Sequence, residues 1–478
     1  MYNIELMLSD EARESYLGSG GLDAGLAERQ PANFSVVLHG GTTNQLENQL
    51  LERLTQVWSD QGIAIGETRD VTANTNLILF FGGFQDFQEP ILKRNEIFPV
   101  KRLEPTKFIG ITSSQACQEY VQMRMEEALN DTSYGPDVQE EVRRLHPEVL
   151  KARILMGAFG TVNVIEMQDM DGQLEGARVH GLNGCEEFSG EQWEKKMARY
   201  LEEITTCTYV RDYKKSDERI LVPSLVKVQE NICATCHGLA DEGLLAKFIP
   251  FAVYLSPEKQ KNGQIYEGMI GMLTDGMVSQ YLGEGVFAVT GTKTMKDKLR
   301  EEDIVFLKDG QIIWGNRSPS VETYLVRGIF QTSAPDGRVP ARGAIHVHAD
   351  LTGELPEDVK VISAGDRSQP CGSVQLADKV VAAYQQALNE IYNNGENSEQ
   401  IIIVEPGHGV TVVPLDISGK TEKNFLPDTL ERLQRIEYAG QKIEPGRIGL
   451  VSRIYRLEKP VELIGPNQAQ SSQIIFQA

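Results

Sequence analysis

The chain has 478 residues, which is longer than one ordinary hydrophobic core supports, so we expect two or three domains. Its hydrophobic fraction of 41% is typical of a globular protein, and its formal net charge of −21 at pH 7 disfavours nucleic-acid phosphates and anionic membrane surfaces as partners. The sequence shows no long apolar run and no secretory signal, and its six cysteines are scattered as reduced thiols would be. These features predict a cytoplasmic protein that binds neither membrane nor nucleic acid.

The first part of the chain alternates between strand and helix patterns. Residues 1–33 are rich in Gly and Ala and are interpreted as an irregular N-terminal segment. Strands are predicted at residues 34–39, 76–81, 107–112, 152–168 and 173–179, and helices at 46–57, 115–130, 136–151 and 190–206. This alternation predicts an α/β domain of unknown role over residues 34–215.

A glycine turn, Gly40-Gly41, joins the first predicted strand to the first predicted helix. Such a turn can cradle a phosphate at the helix N-terminus. The Lys-Ser/Thr of a P-loop and a complete dinucleotide fingerprint are both missing, so an ordinary turn that needs glycine is the favoured interpretation.

The polar stretch at residues 211–221 marks the predicted domain boundary, after which a helix is predicted over about 225–248. This helix carries Cys233-x-x-Cys236-His237, the spacing that attaches c-type haem. The motif lies among apolar residues in a chain without an export signal, so core packing is favoured over haem.

The sequence Ala344-Ile345-His346-Val347-His348-Ala349 predicts a strand with two imidazoles on one face, because alternate residues of a strand point the same way. A third imidazole, His408, follows the apolar run 401–404. Three such residues could bind a metal, although a His-x-His pair by itself is more often a surface or core pair. Upstream, Pro319 and Ser320 predict the start of a helix, with Ser320 as its N-cap.

Four motifs in this order resemble the class II aldolase/adducin family, whose best-known members include zinc-dependent L-fuculose-phosphate aldolases. The resemblance covers residues 222–418. The motifs are Leu-x-x-Glu-Asp-Ile-Val at 299–305, Pro-Ser-x-Glu-Thr at 319–323, His346-x-His348, and a strand ending in His408-Gly409. It implies an α/β fold with α/β/α layers around a mainly antiparallel sheet, following the separate N-terminal α/β domain, and a C-terminal extension over residues 419–478.

The resemblance also implies roles for individual residues. His346, His348 and His408 are similar to the family's zinc ligands, and Glu322 to its carboxylate, which binds the metal or acts as acid/base. Three imidazoles leave an open position on Zn²⁺ or another divalent metal, where a small sugar-like or carbonyl substrate could bind and an enediolate be stabilised. Taken alone, Glu322 could equally be a solvated acid in the first turn of a helix.

Departures from the family pattern concern the substrate rather than the metal. The usual Thr-Pro-Ser/Thr-Gly loop reads Thr290-Gly291-Thr292-Lys293, and the serine pair before the glutamate is reduced to Ser320. Thr292, Lys293 and Ser320 are the candidate substrate-binding residues, and Lys293 would suit an anionic group. The tyrosine-bearing segment that commonly follows the histidine pair is absent, so the sequence identifies no proton donor.

Two functions stay open at this point. One is a metal-dependent lyase-type enzyme that catalyses aldol cleavage, or a related epimerisation or dehydration. The other is a non-catalytic, adducin-like scaffold built on an aldolase-like domain. The resemblance further implies a homo-oligomer, by analogy a tetramer. In the C-terminal extension, a helix is predicted at 424–436 and short strands at 448–456 and 461–464.

Overall fold

In a computed structural model of the protein, the described strands form two large sheets, one of seven strands and one of eight. The structure describes residues 34–39, 44–67, 70, 75–81, 108–130, 151, 155, 163–181, 184–207, 209–210, 213–217, 219–220, 223–241, 245, 276–292, 294, 296–347, 349–352, 359–365, 369–405, 408–416, 435–438, 441–443 and 463–464.

The first sheet combines parallel and antiparallel strands. Its strands are β1 (Val36–His39), β2 (Ile65–Glu67), β3 (Leu77–Phe80), β4 (Phe108–Ser113), β5 (Asn163–Met170), β6 (Gln173–Gly181) and β7 (Gly184–Ser189). They lie in the order β2-β1-β3-β4-β5-β6-β7, with parallel pairing from β2 to β5 and antiparallel pairing from β5 to β7. The helices of this part are α1 (Gln45–Asp60), α2 (Ser114–Asn130) and α3 (Trp193–Thr206).

Helix α1 begins where the sequence supplies a cap. The Asn44 side chain accepts a hydrogen bond from the backbone N–H of Glu47 at 2.9 Å, which satisfies one of the free donors at the helix start. Leu50, Leu54 and Trp58 recur at helical spacing on the buried face. They pack with residues of α3 and of the sheet in one apolar cluster.

The second sheet is mainly antiparallel. Its strands are β9 (Met277–Gly283), β10 (Val286–Thr290), β11 (Ile304–Lys308), β12 (Gln311–Trp314), β13 (Gly343–Val347), β15 (Val359–Ser363), β16 (Gln400–Glu405) and β17 (Gly409–Pro414). Their order is β12-β11-β10-β9-β13-β17-β16-β15, and β15–β16 is the parallel pair in this described sheet. The associated helices are α4 (Pro223–Asp241), α5 (Thr323–Gln331) and α6 (Val374–Asn394).

Smaller elements complete the described chain. Strands β8 (Arg219–Ile220) and β20 (Leu463–Ile464) pair with each other, and β14 (Ala349–Thr352), β18 (Arg435–Tyr438) and β19 (Gln441–Ile443) form a three-stranded sheet. Short 3₁₀ turns lie at Lys296–Lys298 and Glu301–Asp303.

Alternate residues of the second sheet enter different apolar clusters. Ile345 and Val347 of β13 pack in the cluster that contains α4 residues such as Val228. Ala344 of the same strand packs in the cluster that contains residues of α5 and α6, such as Leu325. The period of two therefore assigns His346 to the same side as Ala344, facing α5 and α6.

The mixed α/β class predicted from the sequence is confirmed, but several element predictions were wrong in detail. The helix expected over 225–248 is described over Pro223–Asp241, and Leu245, the one described residue beyond it in that range, is not helical. Helix α5 begins at Thr323 with Glu322 as its N-cap, so the predicted N-cap at Ser320 is wrong by two residues. Arg435 and Ile436 lie in a strand rather than at the end of a helix.

Other predictions fall outside the described residues. They are the irregular segment 1–33, the Gly40-Gly41 turn, the helix at 136–151 apart from Lys151, most of 152–162, the helix at 424–434 and the strand at 448–456. Within the described chain, no helix is long and apolar enough to cross a membrane. The five cysteines whose side chains are described form no disulfide.

Candidate metal centre

Three side chains that the sequence singles out meet in the interior beside the second sheet. Glu322, His346 and His408 each offer one ligand atom, and these atoms lie within 4.8 Å of one another. Glu322 and His408 are 3% exposed and His346 is fully buried. Glu322 is therefore not a solvated first-turn acid, and this alternative is wrong.

The fold holds His346 in the middle of the sheet. Strand β13 lies between β9 and β17, and His346 is directly opposite Met277 on one side and Thr411 on the other. Hydrogen bonding to both neighbouring strands fixes the backbone of β13, so the imidazole projects from a rigid strand.

His408 is placed by the tight connection between β16 and β17. Glu405 pairs with Gly409 across this connection, and the backbone N–H of His408 donates to the carbonyl oxygen of Glu405 at 2.8 Å. Gly409 has a φ of +149°, a conformation that L side chains rarely adopt. The connection brings the His408 ring to 4.6 Å from the His346 ring, measured between centroids.

Glu322 follows a turn that is hydrogen-bonded to the end of β10. The backbone N–H of Ser320 donates to the Thr290 carbonyl at 3.0 Å, and that of Thr292 donates to the Ser318 carbonyl at 2.8 Å. As the N-cap of α5, Glu322 also lies at the positive end of a helix dipole, which favours a carboxylate.

The distances show which atoms converge. One carboxylate oxygen, Oε1 of Glu322, lies 3.2 Å from Nε2 of His346 and 3.8 Å from Nε2 of His408. The Nε2 atoms of both imidazoles therefore face the same carboxylate. Two imidazole nitrogens and a carboxylate oxygen are the donor types of a zinc-like site that keeps an open position, so these residues fit a divalent cation.

A second carboxylate, Glu405, lies on the opposite side of both imidazoles. Its oxygens are 3.3 Å from Nδ1 of His346 and 2.9 Å from Nδ1 of His408, and Thr411 Oγ1 donates to it at 2.6 Å. Burial on its own raises the pKa of Glu405, but the charges and hydrogen bonds of the two histidines outweigh it and hold this pKa well below the ordinary 4.5.

A thiol also reaches this centre. Cys371 Sγ lies 3.5 Å from Oε1 of Glu322, at the distance of a weak S–H hydrogen bond. The loop that carries it packs closely on the Glu322 turn: a Cβ on Gly372 would stand 2.9 Å from Cβ of Val321, and Gly372 has a φ of +70°.

The remaining predicted residues are only partly described. Ser320 is buried, and its hydroxyl accepts the backbone N–H of Glu322 at 3.3 Å. Thr292 lies in the adjoining turn and is partly exposed. His348 and Lys293 lie outside the described residues.

The Cys-x-x-Cys-His motif belongs to the core, as its apolar surroundings indicate. Cys233 and Cys236 lie in the apolar cluster of α4, and burial raises the pKa of each thiol to about 12. Nε2 of His237 lies 3.0 Å from the Leu299 carbonyl oxygen. These thiols are protonated and inert at neutral pH.

Reasoning from the sequence missed Glu405, Thr411 and Cys371. A carboxylate three residues before a candidate ligand was the available signal for Glu405, since a tight turn brings such residues together. Thr411 carried no signal without the strand pairing, and Cys371 lies 49 positions from the residue that it contacts.

Fold and site together define an α/β domain with a buried Glu/His/His cluster that could hold a metal ion. The family model described as "Class II Aldolase and Adducin N-terminal domain" matches residues 264–417. The chain therefore carries a class II aldolase-like domain in its C-terminal part, and the resemblance seen in the sequence is confirmed.

Similar solved structures carry related names. An L-fuculose 1-phosphate aldolase is 18% identical, covering 40% of this chain and 77% of its own, with a TM-score of 0.26. The enzyme of that name from Thermus thermophilus is 16% identical, covering 40% and 81%, with a TM-score of 0.26. An aldolase II superfamily protein from Pseudomonas syringae is 10% identical, covering 40% and 67%, with a TM-score of 0.26. No curated protein matches the chain.

Proposed function

We propose that this protein is a metal-dependent lyase-type enzyme that acts on a small sugar-like or carbonyl substrate, by aldol cleavage or a related epimerisation or dehydration. The observation that carries the proposal is the convergence of the Nε2 atoms of His346 and His408 on Oε1 of Glu322 in a buried site. The aldolase-like domain around this site supports it.

The proposed ligands are His346, His348 and His408, with Glu322 as a fourth ligand or as the acid/base. A divalent cation, zinc in the first instance, would stabilise negative charge that develops on substrate oxygens. The imidazoles of His346 and His408 would bind such a cation as neutral donors through the Nε2 atoms that face Glu322. Glu322 lies at the same point, so its Oε1 can accept a proton from the substrate and return it.

Substrate binding is proposed for Thr292, Lys293 and Ser320. The Ser320 hydroxyl accepts a backbone N–H, which leaves its own proton for donation to a substrate oxygen. Thr292 lies in the turn hydrogen-bonded to Ser318, next to the same segment. Lys293 would favour an anionic substituent, so a phosphate or carboxylate on the substrate fits the loop.

We propose the domain division 34–215 and 222–418, with 1–33 as an N-terminal segment and 419–478 as an extension. Two apolar clusters without common members support this division, one around the first sheet and one around α5 and α6. The α/β/α layering of the second domain, a cytoplasmic location and a homotetramer are proposed on family resemblance and sequence alone.

The test begins with the metal. Purified wild-type chain is expected to contain about one divalent metal ion per molecule, and the His346→Ala/His348→Ala double variant is expected to lose it. His237→Ala is the matched control, because this imidazole contacts a backbone carbonyl beside α4 instead of the cluster. Equal metal content in the wild type and the double variant would overturn the proposal.

Activity is then measured on sugar phosphates and related carbonyl compounds, beginning with L-fuculose 1-phosphate because the similar structures bear that name. Metal-dependent turnover that disappears in the double variant is expected. A metal-loaded protein that leaves aldol, epimerisation and dehydration substrates unchanged and purifies with one stoichiometric partner would instead indicate the adducin-like scaffold.

A further inference from the structure

Glu405 has an unusual set of neighbours for a buried carboxylate. Its side chain is fully buried at the end of β16, and its described partners are the two histidines of the candidate metal centre and Thr411. Among the described residues, no lysine or arginine forms an ion pair with it. A buried carboxylate is costly unless donor groups lie close to its oxygens, and the described groups close to this one are Thr411 and the two imidazoles.

The positions of its two oxygens are specific. Oε1 lies 3.3 Å from Nδ1 of His346, and Oε2 lies 2.9 Å from Nδ1 of His408. One carboxylate thus spans both imidazoles on the side away from Glu322. Because each histidine presents Nδ1 to Glu405, each presents Nε2 to Glu322.

Thr411 fixes the carboxylate in this position. Its hydroxyl donates to Oε1 of Glu405 at 2.6 Å, and its oxygen lies 3.1 Å from Nδ1 of His346. Thr411 is directly opposite His346 across the β13–β17 pair, so strand register determines the contact.

We propose that Glu405 is a positioning residue that orients both imidazoles of the candidate metal centre at once, with Thr411 as its support. An N–H at Nδ1 that faces an oxygen acceptor leaves the Nε2 lone pair for a metal, and it makes the imidazole a stronger donor. Nδ1 of His346 meets the Thr411 hydroxyl, which donates to Glu405, and Nδ1 of His408 lies 2.9 Å from Glu405 itself. The inference rests on the proposed function, since it concerns how that same site holds its cation. Loss of Glu405 would disturb two ligands together.

The first sheet supplies a matched comparison. Glu166 is a similarly buried carboxylate that lies 2.6 Å from Nε2 of His180, but Lys151 Nζ neutralises it at 2.8 Å. Glu166 and His180 therefore form a compensated structural pair, far from the metal cluster in sequence. Glu166→Gln makes the same chemical change as Glu405→Gln without touching the candidate ligands.

The experiment titrates metal-free, full-length protein with Co²⁺, using a competing chelator to obtain the dissociation constant and visible absorption to report ligand geometry. We expect Glu405→Gln to weaken Co²⁺ binding about 10- to 100-fold and to change the absorption bands. Thr411→Val is expected to produce a smaller loss, because Glu405 still contacts both rings. Glu166→Gln should leave the Co²⁺ dissociation constant unchanged.

Melting of each metal-free protein separates positioning from mere structural support. A positioning role predicts weaker Co²⁺ binding in Glu405→Gln protein that is folded before metal is added. If Glu405→Gln does not fold, Glu405→Asp replaces it; the shorter side chain cannot span both rings, and an intermediate loss of affinity is expected.

The outcomes distinguish the two proposals. A wild-type chain that takes up no Co²⁺ would overturn the proposed function and this inference with it. Wild-type binding that is matched within about threefold by the Glu405 variant, with unchanged absorption bands, would overturn the inference alone.

Discussion

At the scale of single residues, Glu166 shows how neighbouring positive charge decides the protonation state of a buried carboxyl group. Burial alone raises the pKa of its carboxyl, but the hydrogen bond from His180 and the hydrogen bond and charge of Lys151 lower it to about 2. The folded pKa lies below the ordinary 4.5, so the ionised carboxylate stabilises the folded state. This contribution is complete above about pH 4.5 and is lost as the pH falls toward 2.

The first prediction concerns Glu166→Gln. At pH 7 the variant is expected to lose about 3 kcal/mol in the free energy of unfolding of the first-sheet region, the equivalent of the lowered pKa. The difference from wild type should shrink progressively below pH 4.5. Urea unfolding followed by tryptophan fluorescence measures it, because Trp58 and Trp193 lie in that core.

Glu187→Gln is the control for this prediction. Glu187 is half-exposed and pairs with Arg178 on a neighbouring strand of the sheet, so its loss is expected to cost less than about 1 kcal/mol. A Glu166→Gln variant whose deficit stays constant from pH 7 to pH 3 would contradict the charge argument.

Residue types and spacing were enough to propose His346 and His408, the family resemblance added Glu322, and these three are brought together in the structure. Their supporting groups were missed. Glu405 had only its position three residues before His408 as a signal, and Thr411 is a hydroxyl on a strand that faces His346 through the pairing of β13 with β17. The local sequence does not determine which residues of β13, β16 and β17 lie opposite one another, because these strands come from distant segments.

At the scale of secondary structure, the connection between β16 and β17 decides where His408 lies. Gly409 has a φ of +149°. A residue with a Cβ would be strained in this conformation by about 1–3 kcal/mol. The second prediction is that Gly409→Ala shifts this connection, lowers stability by that amount and weakens Co²⁺ binding at least tenfold, measured by chelator competition.

Gly395→Ala provides a matched control. Gly395 caps the end of α6 at a φ of +64°, and a Cβ there would meet no atom within 4 Å. This variant is expected to cost about 1–2 kcal/mol without any change in Co²⁺ affinity. If both variants bind Co²⁺ as the wild type does, the connection does not control the site.

The predicted strands and helices agree with the structure where the apolar periodicity and the caps are clear. They disagree where these local signals were overlooked or ambiguous. Strands β1, β3 and β13 and helices α1 and α3 lie near their predicted positions. Helix α6 was not predicted, although Ser373 caps its start and Gly395 its end. The start of α5 was misplaced because Ser320 accepts the backbone N–H of Glu322 within a preceding turn, a local bond that resembles a cap.

At the scale of the whole molecule, the aldolase-like domain accounts for residues 264–417 and leaves the first sheet without an assigned role. The sequence predicted an α/β fold for that part because apolar strands alternate with amphipathic helices. It did not predict the strand order, because parallel neighbours such as β1 and β3 are set by packing between distant segments.

The third prediction follows from the proposed division into two domains. A cation that binds only the folded aldolase-like domain stabilises it by about 2.7 kcal/mol at a hundredfold excess over the dissociation constant. In calorimetry of the full chain we expect two transitions, and saturating Co²⁺ should raise only one of them, by about 5–10 °C. The His346→Ala/His348→Ala variant should lose this shift. A single transition that moves as a whole would mean that both sheets unfold as one cooperative unit, because the free energy of metal binding would then be shared by the entire chain.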